Sequence, residues 1–225
     1  MKSKRGSHVG VVLSFIMFVM FLVFLYSILE PAVNKNNDKR FILDRFQSNL
    51  IEQVSANLTT VLVSSPGGTC LQIYDENVRV ESGLNSIVKD MDGNILQSKR
   101  EGNYLLMEDN NFLRVYYSEE EFDLYESIFI NCIEPVIESI RSDEQIFETK
   151  IIEIENLYQT DYEGLKEIME IPEGYGFDFK FIFEDGTTIG SGTEFSREVY
   201  VKEIPVSYVD KEAKILTGKF IIRVW

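Results

Sequence analysis

The chain has 225 residues and a formal charge of −15, with 37 acidic against 22 basic residues, one histidine and two cysteines. A chain this acidic repels nucleic acid and anionic lipid headgroups. Its one histidine, His8, lies near the N-terminus, which excludes Ser-His-Asp triads, Cys-His dyads and histidine zinc sites from everything that follows.

The chain opens with a basic head, Lys2-Ser3-Lys4-Arg5-Gly6. The 21 residues from Val9 to Leu29 then carry no charge and are almost wholly apolar. About 20 such residues cross the hydrocarbon core of a bilayer as a helix. Three readings stand side by side: a cleaved secretory signal, a signal-anchor helix that stays in the membrane, and a signal cut on the cytoplasmic side of the apolar stretch. The stretch exceeds the usual length of a secretory h-region and no A-x-A-like site follows it, which disfavours the first. Lys2, Lys4 and Arg5 favour a cytoplasmic N-terminus, while Lys35, Lys39, Arg40 and Arg45 flank the other end; the cysteine and sequon usage of the remainder suits the outside, so an inside N-terminus with the rest of the chain outside is expected. Gly10 and Ser14 form a small-xxx-small pair of the kind that lets membrane helices pack closely.

Beyond Pro31 the expected helix resumes. Leu43, Phe46, Leu50, Val54, Leu58 and Leu62 recur at three- and four-residue steps, giving one apolar stripe. Ser64-Ser65-Pro66-Gly67-Gly68 ends it. The divisions expected are thus a leader (1–6), a transmembrane helix (7–30), an amphipathic helical stalk (31–65) and an acidic, β-rich head (66–225). Asn57-Leu58-Thr59 is the only N-x-[ST] sequon, so Asn57 is a candidate glycosylation site.

The head reads mainly as β-structure. Ile87-Val88 and Ile95-Leu96 flank Asp90-Met91-Asp92-Gly93-Asn94, a hairpin signal. Tyr104–Met107 and Phe112–Tyr117 bracket a polar turn and predict a second hairpin. Phe177, Phe179, Phe181 and Phe183 alternate with Asp178, Lys180 and Ile182 and present one aromatic face. Glu198–Val209 and Ile215–Trp225 predict a last pair, with Pro205 at an edge or bulge. Thr160-Asp161-Tyr162-Glu163 has capping-box spacing and starts one short helix. Ser118–Tyr125 reads as a turn or short helix, and Phe129–Ile140 as partly extended. The fold class expected is α+β: a long N-terminal helix before an antiparallel sandwich or wrapped sheet.

After Arg45 there are 15 basic and 34 acidic residues, a net of −19, which suits a solvated surface domain. Cys70 and Cys132 allow one disulfide in an extracytoplasmic domain. Asp90, Asp92, Asn94 and Glu101 fall at positions 1, 3, 5 and 12 of a calcium-loop pattern, but Ile95 takes the place of its glycine. The hairpin reading is therefore preferred and calcium is kept as a minor candidate. Gly186, Gly190 and Gly192 fit no phosphate loop, since no helix start or lysine follows. No cofactor and no catalytic set is implied.

Lys4-Arg5-Gly6, followed by Ser7-His8-Val9 and an unbroken apolar run, resembles the N-terminus of archaeal type IV pilin-like proteins. The resemblance implies a class III signal cut after Gly6 by a prepilin-type peptidase, leaving Ser7 first. Val11 stands where bacterial-type pilins carry Glu, which points to a minor pilin or pilin-like surface protein. The implied partners are the lipid bilayer, the peptidase and other pilin-like subunits, with the N-terminal helix as the packing element. The alternative is a permanently anchored extracytoplasmic binding domain that does not assemble.

Overall fold

The computed structural model describes residues 7–191 and 199–225. One helix, α1 (Ser7–Val54), runs for 48 residues, unbroken through Pro31. At 1.5 Å per residue it is about 72 Å long. It passes directly into β1 (Ser55–Ser64). The expected helical stalk to residue 65 is therefore corrected: residues 55–64 are a central strand. Leu58 and Leu62 satisfy both periods, since positions four apart share a helix face and a strand face. The run Thr59-Thr60-Val61-Leu62-Val63 is rich in β-branched residues, which favour the pleated surface. Ser55 Oγ caps the transition, donating to the Ile51 carbonyl at 2.7 Å.

The strands that follow are β2 (Cys70–Tyr74), β3 (Asn85–Asp90), β4 (Ile95–Leu96), β5 (Ser98–Glu101), β6 (Tyr104–Glu108), β7 (Phe112–Ser118) and β8 (Val136–Phe147). Two helices, α2 (Glu148–Thr160) and α3 (Tyr162–Ile168), precede β9 (Phe177–Ile182), β10 (Thr188–Gly190), β11 (Tyr200–Val209) and β12 (Ile215–Val224). A 3-10 turn covers Asp75–Val78. The fold is α+β. One helix was expected in the head; α2 is a second, which buries Ile151 and Ile154. The α3 N-cap is Asp161, whose carboxylate accepts from Gly164 N at 3.0 Å, whereas Thr160 ends α2.

The large sheet has the order β10-β9-β12-β11-β8-β1-β7-β3-β4, and a small sheet has the order β2-β6-β5. The large sheet is two blocks joined by a narrow seam. β8 and β11 run parallel and pair only at Ile146↔Tyr208 and Phe147↔Val209. Pro205 sits on β11 away from that seam, on an edge where its missing N–H costs nothing.

The second expected hairpin does not form. β6 pairs with β2 and β5 in the small sheet, while β7 pairs with β1 and β3 in the large one. The two strands instead face each other across a core. Leu105 and Met107 pack with Leu113, Val115 and Tyr117, joined by Val61, Val63, Leu71 and Ile73. The Asp90 hairpin does form, between β3 and β4. Its turn is closed by Asp90, whose carboxylate accepts from Asn94 N and Asn94 Nδ2, both at 2.8 Å. Gly93 supplies the positive φ of +88° that the turn needs.

The other block is backed by helices. Phe177, Phe179 and Phe181 of β9, with Phe220, Ile222 and Val224 of β12, pack against Phe46, Leu50 and Val54 of α1. Phe46 meets Phe177 edge-on at 5.1 Å between centroids. A third cluster lies on the opposite face of the sheet. There Leu58, Ile87, Phe147 and Val209 come together with Phe122 and Ala213, so the sheet curls about that face.

Candidate functional site: a half-bare helix on an acidic head

The apolar residues of α1 from Val11 to Tyr26 are all exposed, and the stretch Gly10–Ser27 is long and apolar enough either to cross a membrane or to serve as a signal sequence. Nothing in the head approaches it: a Cβ added at Gly10 would meet no atom within 4 Å, and Ser14 is likewise exposed. Lys4, Arg5 and Gly6 lie outside the described residues, and Ser7 is the first residue of α1.

From Lys39 the same helix is a docked element. Ile42, Leu43, Phe46, Leu50 and Val54 are buried at successive turns. Each contributes about 1.5–3 kcal/mol through removal of its side chain from water. Polar contacts set the helix's position along the sheet. Lys39 Nζ lies 5.0 Å above the Tyr200 ring, Asp44 pairs with Lys202 at 2.5 Å, Arg45 pairs with Glu170, and Asn49 Nδ2 donates to the Met169 carbonyl at 3.0 Å. These partners are 120 or more residues away in sequence, so no local signal marks them.

Cys70 and Cys132 form a disulfide across 62 residues of sequence. It ties the start of β2 to the long irregular segment before β8. Asn57 lies on β1 rather than on a helix; it is exposed, and its carbonyl accepts from Ser118 Oγ at 2.9 Å. The four calcium candidates are not gathered. Asp90 and Asn94 bond to each other within the turn, and Glu101 lies on the small sheet paired with Lys99 at 2.8 Å. Among the described residues no group of three or more His, Cys, Asp or Glu is placed to hold a metal. Of the glycine-rich stretch, Thr188–Gly190 is strand β10, and Gly192 lies outside the described residues.

Two buried ion pairs brace the sheets. Asp178 and Arg223 are register partners across β9 and β12, joined at 2.9 Å. Burial raises the Asp178 carboxyl above the usual range, and Arg223 opposes the shift. Asp75 of the 3-10 turn holds Arg100 of β5 at 2.8 Å, and the guanidinium lies over the Tyr117 ring. Burial, with the Asp75 charge, lifts the Tyr117 phenol well above its usual range. Both pairs link neighbouring elements, the role in which buried charges hold a specific arrangement.

A cleft of about 350 Å³ beside the β11–β12 turn is lined by Glu148, Glu184, Asp185 and Asp210. Burial, then the neighbouring Asp210, raises the Glu148 carboxyl, with Lys211 pulling the other way. Thr187 and Tyr208 also line this cleft. Comparison of the chain with known protein families, characterised proteins and solved structures finds no match.

Proposed function

We propose that this protein is a membrane-anchored, pilin-like surface protein that works by helix-mediated assembly or adhesion rather than by chemistry. The observation that carries the reading is the division of α1: a single helix is bare and apolar over Gly10–Ser27 and packed into the head from Lys39 onward. An apolar helix free on every side is stable only in a lipid or protein environment that covers it. A helix continuous with the head transmits any contact of its bare half to the head without a flexible linker.

The N-terminus is cytoplasmic and the head outside in this reading. A prepilin-type peptidase trims Met1–Gly6 at the Lys4-Arg5-Gly6 junction, and the bare helix later packs with those of other subunits. The acidic, disulfide-tied head stays solvated, as its charge favours.

Mass spectrometry of the protein purified from its own membranes tests this directly. A chain starting at Ser7 is expected. An intact Met1 means a permanent anchor without processing, and a start beyond Leu29 removes the anchor altogether. Energy transfer between differently labelled copies in one vesicle population is expected as well, and its absence at all densities would rule out assembly.

A further inference from the structure

The head carries an exposed apolar ridge and, on a separate surface, an apolar trough. The segment between β7 and β8 is tied to both edges of the small sheet. Tyr125 O accepts from Ser98 N of β5 at 2.9 Å, and Ile133 O accepts from Gln72 N of β2 at 2.8 Å. The disulfide at Cys132 fixes its far end. One face of the small sheet packs on the large sheet through Leu71, Ile73, Leu105 and Met107, so the segment crosses the other face. Leu106, which alternation turns to that outer face, is buried accordingly. The strap is thus the outermost layer, yet Leu124, Ile128 and Ile130 are 68%, 84% and 72% exposed. Glu126 precedes Ile128 and Ile130 at two-residue steps and is exposed with them.

The trough lies on the face of the large sheet turned away from the small one. Its floor is Leu58, Thr60, Leu62 and Tyr116, its walls include Met91 and Ile215, and its volume is about 380 Å³. Arg114 and Arg141 also line it. Arg141 is paired with Asp143, but Arg114 has no carboxylate partner among the described residues, in a chain with 37 acidic side chains. Exposed apolar ridges and apolar grooves mark contact surfaces, and an arginine open to a carboxylate supplies directional pairing.

We propose that the Leu124–Ile130 ridge of one copy seats in the trough of a second copy, with Glu126 meeting Arg114. Ridge and trough are different surfaces of the head, so the contact is heterologous, and it propagates from copy to copy wherever the rotation between copies does not close. This rests on the assembly reading only in that α1 holds the copies side by side in a membrane.

The test uses the full chain in lipid vesicles, with Thr60→Cys and Ile128→Cys together and a mild oxidant. A ladder of dimers, trimers and longer species is expected, with Cys70–Cys132 intact by mass spectrometry. Each single substitution alone is expected to yield at most one-fifth of that cross-linking. Arg114→Glu in the double-cysteine chain should cut the ladder at least five-fold, and adding Glu126→Arg should restore it. Monomer alone, equal self-linking by Ile128→Cys, or no rescue by the paired reversal would each overturn the contact. Energy transfer between labelled copies with no ladder overturns the ridge-and-trough contact while leaving helix association in place. Loss of both signals removes both readings.

Discussion

The two halves of α1 are one helix in two environments. From Val11 to Tyr26 the apolar residues surround the axis and are all exposed. From Lys39 to Val54 they form a stripe, with Ile42, Leu43, Phe46, Leu50 and Val54 buried and Arg40, Asp44 and Glu52 in solvent. The breadth of the apolar surface decides what covers it. A stripe is satisfied by one face of a sheet, while a helix apolar on every side needs a surrounding medium. On the function proposed above, the halves carry separate tasks, location for the first and stability for the second.

The strongest way to break that separation is to remove the bare half. Deleting residues 1–27 is expected to move the protein from the membrane fraction to the soluble one and to leave the head's melting temperature unchanged within about 3 °C, since Gly10–Ser27 is exposed throughout. A head that melts much earlier would show that the halves are not independent. Fractionation and thermal melting read the two arms.

Phe46→Ala is the reciprocal change. It opens a cavity against Phe177 and is expected to cost about 3–5 kcal/mol in denaturant unfolding, with no change in membrane partition. A comparable loss, about 4 kcal/mol in the chain-entropy model, is expected from Cys70→Ser with Cys132→Ser, because the disulfide closes a 62-residue separation. That loss belongs to the sandwich block, so the docking of α1 on the helix-backed block should persist, readable by hydrogen exchange along Ile42–Val54.

The smallest effect is a pH dependence. Glu148 has a folded-state value above its ordinary one, through burial and then Asp210. A raised carboxyl favours the protonated folded state, so its contribution is present below the unfolded value and is lost as pH rises through the folded one. At pH 7 the ionised group therefore destabilises, and Glu148→Gln should raise the melting temperature there but not at acid pH. A melting temperature lowered equally at both would contradict this, and the bare half of α1 should be indifferent throughout.

Features set by neighbouring residues were legible in the sequence. The charge-free run from Val9 to Leu29 reads as a helix and lies within α1, and the Asp90 turn closes with atoms four residues apart. The alternation of Phe177, Phe179 and Phe181 marks a core strand wherever it sits. Leu58 and Leu62 were misassigned because a four-residue step serves helix and strand alike. The partners of Tyr104–Met107 were missed because a short turn between apolar runs reads as a hairpin, although here it carries the chain from one sheet to the other. Of the proposed contact, the apolar strap is visible as residues, but its exposure is not, and nothing local distinguishes Arg114 from the other basic residues.

The sequence by itself determined where this chain is apolar on all sides, where it is striped and where it turns, because those depend on side chains within a few positions of one another. Only the tertiary structure decided that β1 follows α1 without a break, that β6 and β7 face each other across a core, and that the head presents a separate ridge and trough. Those outcomes depend on which distant strands share a sheet, and pairing of that kind is set by long-range burial of complementary faces.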